Sequence, residues 1–400
     1  MPMQPPASRR DFLAGLALPA AASAAPSAPA AAQASKLLYR TLGKTGLKVT
    51  ALSFGCMTTS DESVIQRAAD AGILHFDTAR AYQNGNNERM VGAALKERRK
   101  QVVISSKTLA KTRQEALDHL DTSLREIGTD YLDVWYLHSR SAPEEVTDEL
   151  LEVQRAAKKA GKIRFAGVST HFNMDRMLAH LVERGQTDVV LTTYNFSMRN
   201  VAPAEQQARR IDMTTAIQAA RKAGMGIVVM KAMAGGVARV GRGDRLYGAD
   251  PEALKKVLGM QGGALAAIKW VLKNSSVDTA IVCMTDSDQL EEDLRAMAEP
   301  YTRRDEAVLQ ALLAAIGPRY CRMCGTCNGV CDKGVRVPDM LRFLAYAEGY
   351  GQFALARERY LELPEDARAA RCRDCASCSV ACPNGVRVRD AVMHAQELLA

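Results

Sequence analysis

The sequence predicts an α/β protein, a (β/α)8 TIM barrel followed by a small, mainly helical domain. Eight short apolar or β-branched runs alternate with helical patterns between residues 52 and 284. The runs are apolar almost throughout, as expected for parallel strands covered by helices. Beyond residue 316 the alternation stops, and cysteine, arginine and glycine become frequent. Eight strand–helix units over this length favour a closed barrel over an open sheet.

A short hairpin is predicted before the barrel, over Tyr39–Thr50, with Gly43 and Gly46 in its turn region. The barrel strands are predicted at Leu52–Cys56, Ile73–Thr78, Val102–Lys107, Leu132–His138, Ile163–Ser169, Val189–Tyr194, Ile227–Met233 and Thr279–Met284. The helices between them are predicted at Glu62–Ala71, Arg113–Ile127, Pro143–Ala160, Asp175–Glu183, Glu205–Ala223 and Ala264–Leu272. Thr112 and Asn173 precede two of these helices, where a side-chain oxygen is expected to cap free amides.

The composition excludes several classes of function. Hydrophobic residues make up 47% of the 400 residues and charged residues 24%, which is ordinary for a globular protein. The net charge of +8 is spread along the chain, and aromatic residues make up only 5%. Without an interleaved basic and aromatic stretch, no nucleic acid partner is expected. No apolar run approaches the roughly 20 residues that span a bilayer, so no transmembrane segment is predicted in the mature chain.

The N-terminus predicts an export signal over residues 1–34. Ser8-Arg9-Arg10-Asp11-Phe12-Leu13 is followed by an Ala/Leu-rich stretch, and twin arginines before a weakly apolar segment are typical of a Tat signal. Ala32-Gln33-Ala34 is a candidate cleavage site, and Ala22-Ser23-Ala24 is a second. The alternative is a disordered tail with two chance arginines. The Tat interpretation predicts a periplasmic protein that is folded before export.

Four ionisable residues follow consecutive predicted strands and are expected at one mouth of the barrel. Asp77 ends the second strand with Tyr82 five residues later, Lys107 ends the third strand, and His138 ends the fourth. Reactive groups of such barrels collect at the carboxyl ends of the strands. A lysine held by a carboxylate is expected to lower the pKa of a tyrosine beside it. An imidazole can orient a carbonyl oxygen, so together the four groups could protonate an alkoxide.

Residues 37 to about 300 resemble the aldo/keto reductase family. The phrases that carry the resemblance are Tyr39-Arg-Thr-Leu-Gly-Lys-Thr-Gly-Leu-Lys-Val, Phe76-Asp-Thr-Ala-Arg-Ala-Tyr82, Ile104-Ser-Ser-Lys107, Leu132-Asp-Val-Trp-Tyr-Leu-His138 and Ala166-Gly-Val-Ser169. The resemblance implies that Tyr82 is the general acid/base and that His138 orients the carbonyl. It also implies that Lys107 tunes Tyr82 and that Asp77 supports Lys107.

The resemblance implies a nicotinamide site that is less well matched. Ser169 and Tyr194 are expected to approach the nicotinamide, with Tyr194 as the stacking ring. The nucleotide-phosphate segment is expected over residues 282–293, with Thr285, Gln289 and Asp293 as candidate binding residues. This segment has no Lys or Arg, and its aspartates would repel a 2′-phosphate, so NAD(P) binding is possible but a preference for NADP is doubtful. His171 could contact a ligand or be a satisfied buried histidine.

Eight of the ten cysteines form two copies of a C-x2-C-x2-C-x3-C run, the second 51 residues after the first. This is the ligand spacing of bacterial ferredoxins with two [4Fe–4S] clusters, in which the fourth cysteine of each run serves the other cluster. One cluster is therefore expected on Cys321, Cys324, Cys327 and Cys382, and the other on Cys372, Cys375, Cys378 and Cys331. A structural zinc site is the alternative. Cys56 and Cys283 lie within predicted strands and are expected to be small core residues.

The two cysteine runs belong to an internal duplication. Each ends in Gly-Val-Arg-Val, at 334–337 and at 385–388, with helices predicted between the runs at Asp339–Ala347 and Gln352–Leu361. The domains are therefore predicted as a signal over 1–34, a reductase barrel over 36–316 and a ferredoxin-like iron–sulfur domain over 317–400.

The combined prediction is an exported, iron–sulfur-containing oxidoreductase that acts on a small carbonyl or alcohol substrate and has a redox protein as a possible partner. One alternative is an electron-transfer protein whose barrel is a scaffold or no longer uses nicotinamide. Another is an interaction module stapled by zinc.

Overall fold

Eight parallel strands close into a barrel at the centre of the fold. The computed structural model describes residues 37–198, 213–234, 262–316 and 320–400. The strands are β3 (Leu52–Gly55), β4 (His75–Asp77), β5 (Val103–Thr108), β6 (Leu132–Leu137), β7 (Ile163–Ser169), β8 (Val189–Thr193), β9 (Gly226–Met230) and β10 (Thr279–Cys283). They pair in chain order, and β10 closes the barrel on β3. The predicted barrel and all eight of its strands are confirmed.

Helices cover the outside of the barrel. The described helices are α1 (Glu62–Asp70), α2 (Asn86–Leu95), α3 (Arg113–Ile127), α4 (Asp148–Lys159), α5 (Met174–Arg184), α6 (Met213–Lys222), α7 (Gly263–Leu272), α8 (Ser287–Ala298) and α9 (Arg303–Ile316). The helix predicted over Pro143–Ala160 is divided into a 3₁₀ turn at Pro143–Glu145 and α4, because Thr147 caps α4 by accepting from the Leu150 amide at 3.3 Å. Residues 205–212 of the helix predicted over Glu205–Ala223 lie outside the described residues.

The two predicted N-caps have different outcomes. Thr112 caps α3, since its side chain accepts from the Glu115 amide at 3.4 Å. The prediction for Asn173 is wrong: this residue is left-handed with a φ of 49°, and its side chain makes no capping bond. Its amide instead donates to the Ser141 carbonyl oxygen at 2.9 Å. Asn173 therefore joins two loops at the barrel mouth rather than satisfying α5.

The predicted hairpin is confirmed and closes the amino end of the barrel. Strands β1 (Tyr39–Thr41) and β2 (Lys48–Thr50) pair antiparallel. Leu42 and Leu47 pack with interior residues of the barrel, such as Val228 at the middle of β9. Gly43 has a φ of +52°, and a Cβ there would lie 2.3 Å from the Gly226 amide nitrogen, so only glycine fits. Because the hairpin closes the amino end of the barrel, a ligand can enter only at the carboxyl ends of the strands.

The C-terminal region packs on the barrel around a small core of its own. It contains α10 (Val337–Leu344), α11 (Phe353–Leu361), α12 (Glu365–Ala369) and α13 (Val388–Leu399). The predicted helix over Asp339–Ala347 corresponds to α10, which continues into a π-helical turn at Ala345–Gly349, and Gln352–Leu361 corresponds to α11. Residues 35–400 form one compact unit, whereas the predicted signal at 1–34 lies outside the described residues. In the described part of the chain, no helix combines the length and apolarity needed to cross a membrane.

The internal duplication has a structural counterpart. Gly334 and Gly385 are both left-handed, with φ of +75° and +73°, and each donates its amide to the carbonyl oxygen of the preceding run's last cysteine. Each turn then leads through Val and Arg into a helix, α10 in the first copy and α13 in the second. The two equivalent helices pack against each other, so the repeats are arranged as a pair around one core.

Candidate active site

Asp77, Lys107 and Tyr82 form a connected chain of polar contacts at the carboxyl ends of β4 and β5. The Lys107 ammonium donates to Asp77 Oδ2 at 2.5 Å and to the Thr78 carbonyl oxygen at 2.7 Å. It also lies 3.2 Å from the Tyr82 hydroxyl. Ser105 donates to the other oxygen of Asp77 at 2.6 Å. The Asp77–Lys107 pair is almost fully buried. The hydrogen bonds that the two residues make to each other, to Ser105 and to the Thr78 carbonyl offset the cost of removing their charges from water.

The loop after β4 holds Tyr82 in place through left-handed backbone residues and hydrogen bonds from side-chain amides. Gln83 and Asn84, directly after Tyr82, are left-handed with φ of 50° and 52°. The Gln83 side chain donates to the Thr59 carbonyl oxygen at 2.7 Å, and Asn87 donates to that of Cys56 at 2.8 Å. Non-glycine residues adopt such conformations only where surrounding contacts impose them, which is common at functional sites. The position of Tyr82 is therefore fixed by its loop.

Burial raises the pKa of Tyr82 well above its usual value, and the Asp77 carboxylate adds to this effect. From the sequence, Lys107 is expected to lower the pKa of Tyr82, but the net shift is upward. Burial of the phenol and the negative charge of Asp77 outweigh the effect of a neighbouring ammonium. At neutral pH Tyr82 is a protonated phenol, which is the form that can donate a proton.

His138 completes the set of four. Its ring meets the Tyr82 ring edge-on, with centroids 5.9 Å apart and planes at 79°. Burial lowers the pKa of His138 well below its usual value, with Lys107 and nearby arginines acting in the same direction. Its Nδ1 is buried and has no hydrogen-bond partner among the described residues. His138 is thus a neutral imidazole with capacity left to bind a ligand atom.

The four residues line a cavity of about 590 Å³ whose walls come from both regions of the chain. The barrel supplies the strand ends and loops, and the C-terminal region supplies residues that include Arg342, Tyr346 and Arg359. Arg359 donates to the Ala81 carbonyl oxygen at 3.3 Å, and Arg342 donates to Ser139 Oγ at 3.2 Å. Because Ala81 and Ser139 are the chain neighbours of Tyr82 and His138, the C-terminal region contacts the loops that carry these two residues.

Lys231 and His171 form a second polar pair in the same cavity. Lys231 follows β9 in a left-handed conformation with a φ of 58°, and its ammonium lies 2.7 Å from His171 Nδ1. Burial, and then the Arg342 charge, lowers the pKa of Lys231 to about 7. Burial and Lys231 lower the pKa of His171 well below its usual value. His171 is therefore a cavity residue that accepts a hydrogen bond from Lys231.

The predicted nicotinamide residues are only partly assembled. Ser169 lines the cavity, and its Oγ accepts from the Ser139 amide at 2.9 Å. Tyr194 does not line it: the ring is buried against Trp270, with centroids 5.0 Å apart, and Asn274 donates to its hydroxyl at 3.2 Å. No tyrosine face is therefore presented to a nicotinamide at this position.

At the predicted nucleotide end, Thr285 and Gln289 line the cavity, whereas Asp293 is fully buried and does not. Asp286 caps α8 by accepting from the Gln289 amide at 2.9 Å, and the Gln289 side chain donates to Thr285 and Asp286. The carboxylate thus stands where the helix N-terminus would otherwise attract a phosphate.

The ten cysteines all lie in the described residues, and all are free thiols. The thiols that act electrostatically on Cys321 are Cys324, Cys327 and Cys382, and those that act on Cys372 are Cys331, Cys375 and Cys378. This is the division expected from the spacing, with the fourth cysteine of each run exchanged. Burial and neighbouring thiols raise the pKa of Cys327 to about 12 and that of Cys372 to about 11.

Two observations bear on what the thiols could bind. In the described ranges, no three His, Cys, Asp or Glu side chains converge on a site for a metal ion. Several donors do approach sulfur: the Met323 amide lies 3.3 Å from Cys321 Sγ, Thr326 Oγ1 lies 3.3 Å from Cys324 Sγ, and Asn384 Nδ2 lies 3.6 Å from Cys324 Sγ. Donors to sulfur of this kind are typical of iron–sulfur sites, where they tune the reduction potential. Cys56 is a buried core residue, as expected, whereas Cys283 is partly buried and lines the cavity.

Comparison with known proteins identifies the barrel. The model of the aldo/keto reductase family matches residues 52–314, well over half of the chain. The chain belongs to the aldo/keto reductase family. It is 24% identical over 315 residues to the L-glyceraldehyde 3-phosphate reductase of Escherichia coli K12, a match that covers 66% of this chain and 88% of that protein. It is also 24% identical over 296 residues to the L-galactose dehydrogenase of Arabidopsis thaliana, covering 66% of this chain and 89% of the relative.

A solved aldo/keto reductase gives the same result for the fold. The holo form of the aldo-keto reductase AKR11C1 from Bacillus halodurans superimposes with a TM-score of 0.56 at 25% identity, covering 69% of this chain and 96% of that one. The protein is thus an oxidoreductase of the aldo/keto reductase type with a (β/α)8 barrel. The cysteine runs lie beyond the residues that the family model matches.

Three cavity residues were not predicted from the sequence. Lys231 lies inside the strand predicted at Ile227–Met233, and a lysine at the carboxyl end of a barrel strand is the same signal that identified Lys107. Arg342 and Arg359 lie on α10 and α11, and nothing in the sequence connects these helices to the barrel mouth. Only the packing of the C-terminal region brings them to the site.

Proposed function

We propose that this protein is an exported oxidoreductase that interconverts a carbonyl and an alcohol and carries two [4Fe–4S] clusters as an electron relay. The observation that carries the proposal is the contact of Lys107 with both Asp77 and Tyr82, beside a neutral His138, at a cavity wall. A buried phenol, a lysine and an imidazole in this arrangement are suited to protonating an oxygen on which negative charge develops.

Each residue of the set has a distinct role in a reduction. The Tyr82 phenol donates its proton to the carbonyl oxygen of the substrate, and neutral His138 orients that oxygen. Lys107, 3.2 Å from the Tyr82 hydroxyl, stabilises the negative charge that then remains on the phenol oxygen. Asp77 holds the Lys107 side chain in place. In the oxidation of an alcohol the same proton moves in reverse.

The fit of a nicotinamide is partial. Ser169, Thr285 and Gln289 line the cavity and would hold the cofactor, with NAD favoured over NADP because Asp286 and Asp288 repel a 2′-phosphate. A bound nicotinamide would supply the hydride. The buried position of Tyr194 means that its ring is not available for stacking without a rearrangement.

The donor set of the C-terminal region fits two [4Fe–4S] clusters. One cluster would be held by Cys321, Cys324, Cys327 and Cys382, and the other by Cys331, Cys372, Cys375 and Cys378. The free thiols, their division into two groups of four and the donors near sulfur support this proposal. Such clusters supply single electrons. Cys378 is exposed, which favours electron exchange with a redox protein at that group.

Export through the Tat route is supported by the twin arginines of residues 9 and 10 and by the cysteine content. An oxidising compartment normally converts free thiols into disulfides. Thiolates that already bind iron are not available for this reaction, so clusters inserted before export would preserve them. Localisation is tested by fractionating cells that express the full chain or an Arg9→Lys, Arg10→Lys variant. Periplasmic protein that is lost in the variant supports export, and equal periplasmic amounts contradict it.

The proposed chemistry is tested with anaerobically purified protein. We expect iron and sulfide near eight each per chain, visible absorbance that dithionite bleaches, and a nucleotide released on denaturation that mass spectrometry identifies. Tyr82→Phe is expected to lower kcat for carbonyl reduction by about 10²- to 10⁴-fold, because the proton donor is lost. Tyr131→Phe, at the opposite end of β6, is the matched control. Unchanged turnover in Tyr82→Phe would show that the proposed chemistry is wrong.

The buried Tyr194 favours a second candidate, an electron-transfer protein whose barrel no longer uses nicotinamide. This candidate predicts full iron content, no bound nucleotide and no binding of added NAD. It also predicts that electron transfer to an artificial acceptor is equal in wild-type protein and in Tyr82→Phe. The same preparations therefore distinguish the two candidates.

A further inference from the structure

The cavity carries positive charge that the described residues do not balance. Lys107 is paired with Asp77, and Arg359 is paired with Glu362 at 2.8 Å. Lys231 has no carboxylate within ion-pair distance among the described residues, and its polar contacts there are His171 Nδ1 and, at 3.6 Å, Met230 Sδ. With its pKa lowered to about 7, Lys231 is only partly charged at neutral pH, and an anion that enters the cavity would stabilise its charged form.

Arg342 lines the same cavity, and its charge is paired with the Asp339 carboxylate. Its Nη2 donates to Asp339 at 2.8 Å and its Nη1 to Ser139 at 3.2 Å, whereas its Nε is buried without a partner among the described residues. Its charge lowers the pKa values of His138, His171 and Lys231, so it lies within electrostatic range of all three. A guanidinium has five N–H donors, so Arg342 keeps further donors for an anion in the cavity after bonding Asp339 and Ser139.

We infer that the substrate carries a carboxylate in addition to its reacting carbonyl, and that Arg342 and Lys231 bind this carboxylate. The inference rests on the proposed carbonyl chemistry and names its substrate class. A carboxylate has one charge and two acceptor oxygens, which suits one guanidinium N–H and one ammonium. A phosphate dianion would bring two negative charges to a site where, of these two residues, only Lys231 lacks a carboxylate partner among the described residues. The C-terminal region then contributes directly to the substrate site.

The location separates this anion from a nucleotide phosphate. Arg342 contacts Ser139, directly after β6 and His138, whereas the predicted nucleotide end follows β10, on the opposite side of the barrel. An anion at Arg342 therefore lies beside the residue that would orient the substrate carbonyl. Lys231 follows β9, which pairs with β10, but its ammonium contacts His171, whose ring lies 6.3 Å from that of His138. Arg342→Gln should accordingly change the KM for the substrate and leave the affinity for NAD unchanged.

The test compares 4-carboxybenzaldehyde with its methyl ester, using the holoprotein with NADH or, if NADH is not accepted, with reduced methyl viologen. Wild-type protein is expected to prefer the acid by about tenfold or more in kcat/KM, the size of a charge-assisted hydrogen bond. Arg342→Gln and Lys231→Gln should each abolish most of this preference by raising the KM for the acid more than the KM for the ester. Arg342→Lys should retain part of it, and Arg357→Gln, which replaces an exposed arginine of α11, should retain all of it.

A binding measurement keeps the inference testable without turnover. Benzoate binding to the Tyr82→Phe holoprotein, followed by calorimetry, should weaken about tenfold when Arg342→Gln is added, with circular dichroism checking that the variant is folded. The inference is overturned if wild-type protein reacts equally well with the acid and the ester. It is also overturned if neither Arg342→Gln nor Lys231→Gln changes the affinity for benzoate. If neither aldehyde reacts but benzoate binding depends on Arg342, the carboxylate site stands and the proposed carbonyl chemistry fails. Wild-type protein could instead prefer glyceraldehyde 3-phosphate to 4-carboxybenzaldehyde. If Arg342→Gln removed that preference, the site would be a phosphate site and the inference would be wrong.

Discussion

At the barrel mouth, burial sets the protonation states of individual side chains. Tyr82 is held as a phenol and His138 as a neutral imidazole because water is excluded from both. The ammonium of Lys107 is compensated by Asp77, so the set as a whole carries little net charge. A proton donor and a neutral orienting group in such surroundings suit a carbonyl oxygen that becomes negative during reduction.

The buried histidine of β4 makes stability depend on pH. His75 lies between Ser53 Oγ at 3.0 Å and Ser105 Oγ at 2.9 Å, and burial lowers its pKa to about 4. In the unfolded chain this histidine is protonated below about pH 6.5, whereas in the folded protein it stays neutral down to about pH 4. Its neutral form therefore contributes fully to the stability of the folded state above pH 6.5. This contribution declines as the pH falls from 6.5 towards 4, by about 3 kcal/mol in all.

Urea unfolding at pH 7.5, 6 and 5 measures this effect. The loss of unfolding free energy between pH 7.5 and 5 should be smaller in His75→Asn than in wild type, although the variant is less stable at pH 7.5. His394→Asn changes an exposed position of α13 and is the control. Its unfolding free energy should fall between pH 7.5 and 5 by as much as that of wild type. Parallel pH profiles for His75→Asn and wild type would contradict the assignment.

Individual elements were predicted well wherever a local pattern defines them. The eight strands and most of the helices follow from apolar runs and helical periodicity, and Thr112 caps α3 as expected. Asn173 failed as a cap because its side chain reaches Ser141 in another loop, a contact that no local pattern encodes. The same applies to Tyr194, which ends a correctly predicted strand but packs on Trp270 of α7.

Close approach of α2 and α3 gives a prediction at the scale of the element. A Cβ at Gly92 of α2 would lie 2.3 Å from the Ile127 carbonyl oxygen, which is backbone and cannot turn aside. Helix propensity alone favours Gly92→Ala by about 1 kcal/mol. We expect the opposite sign, with a loss of stability by about 1 to 3 kcal/mol from overpacking.

Chemical unfolding compares Gly92→Ala with Ala93→Gly, its exposed neighbour on the same helix. Ala93→Gly should be destabilised by about 1 kcal/mol through propensity. If the two substitutions shift stability in opposite directions, propensity governs both positions and the close approach has no effect. If both destabilise, the contact with Ile127 dominates at Gly92.

At the scale of the whole molecule, the C-terminal region lines the candidate active-site cavity together with the barrel. Its small core packs beside the cysteine groups, and Arg342 and Arg359 bond to the loops after β6 and β4. The region is small, and small cores commonly depend on disulfides, bound metal or association for much of their stability. Loss of the proposed clusters should therefore loosen both this region and the loops that it contacts.

Hydrogen–deuterium exchange of anaerobic holoprotein and of protein stripped by a chelator tests this coupling. Exchange should accelerate in α10 to α13 and in the loops around Ala81 and Ser139 after stripping. The hairpin at Tyr39–Thr50, at the opposite end of the barrel, serves as the internal control and should not change. Faster exchange in the helices with unaltered mouth loops would show that the two parts are not coupled.

The sequence by itself determined the barrel, its strand order and the residues Asp77, Tyr82, Lys107 and His138, because each lies at or near a strand end and parallel strands bring their carboxyl ends together. It also determined the division of eight cysteines into two groups, since the spacing repeats. Only the tertiary structure decided the protonation states of Tyr82 and His138, which depend on burial, and the exclusion of Tyr194 from the cavity. It alone placed Arg342 and Lys231 together, because the packing of α10 over the barrel mouth involves residues more than a hundred positions apart in the chain.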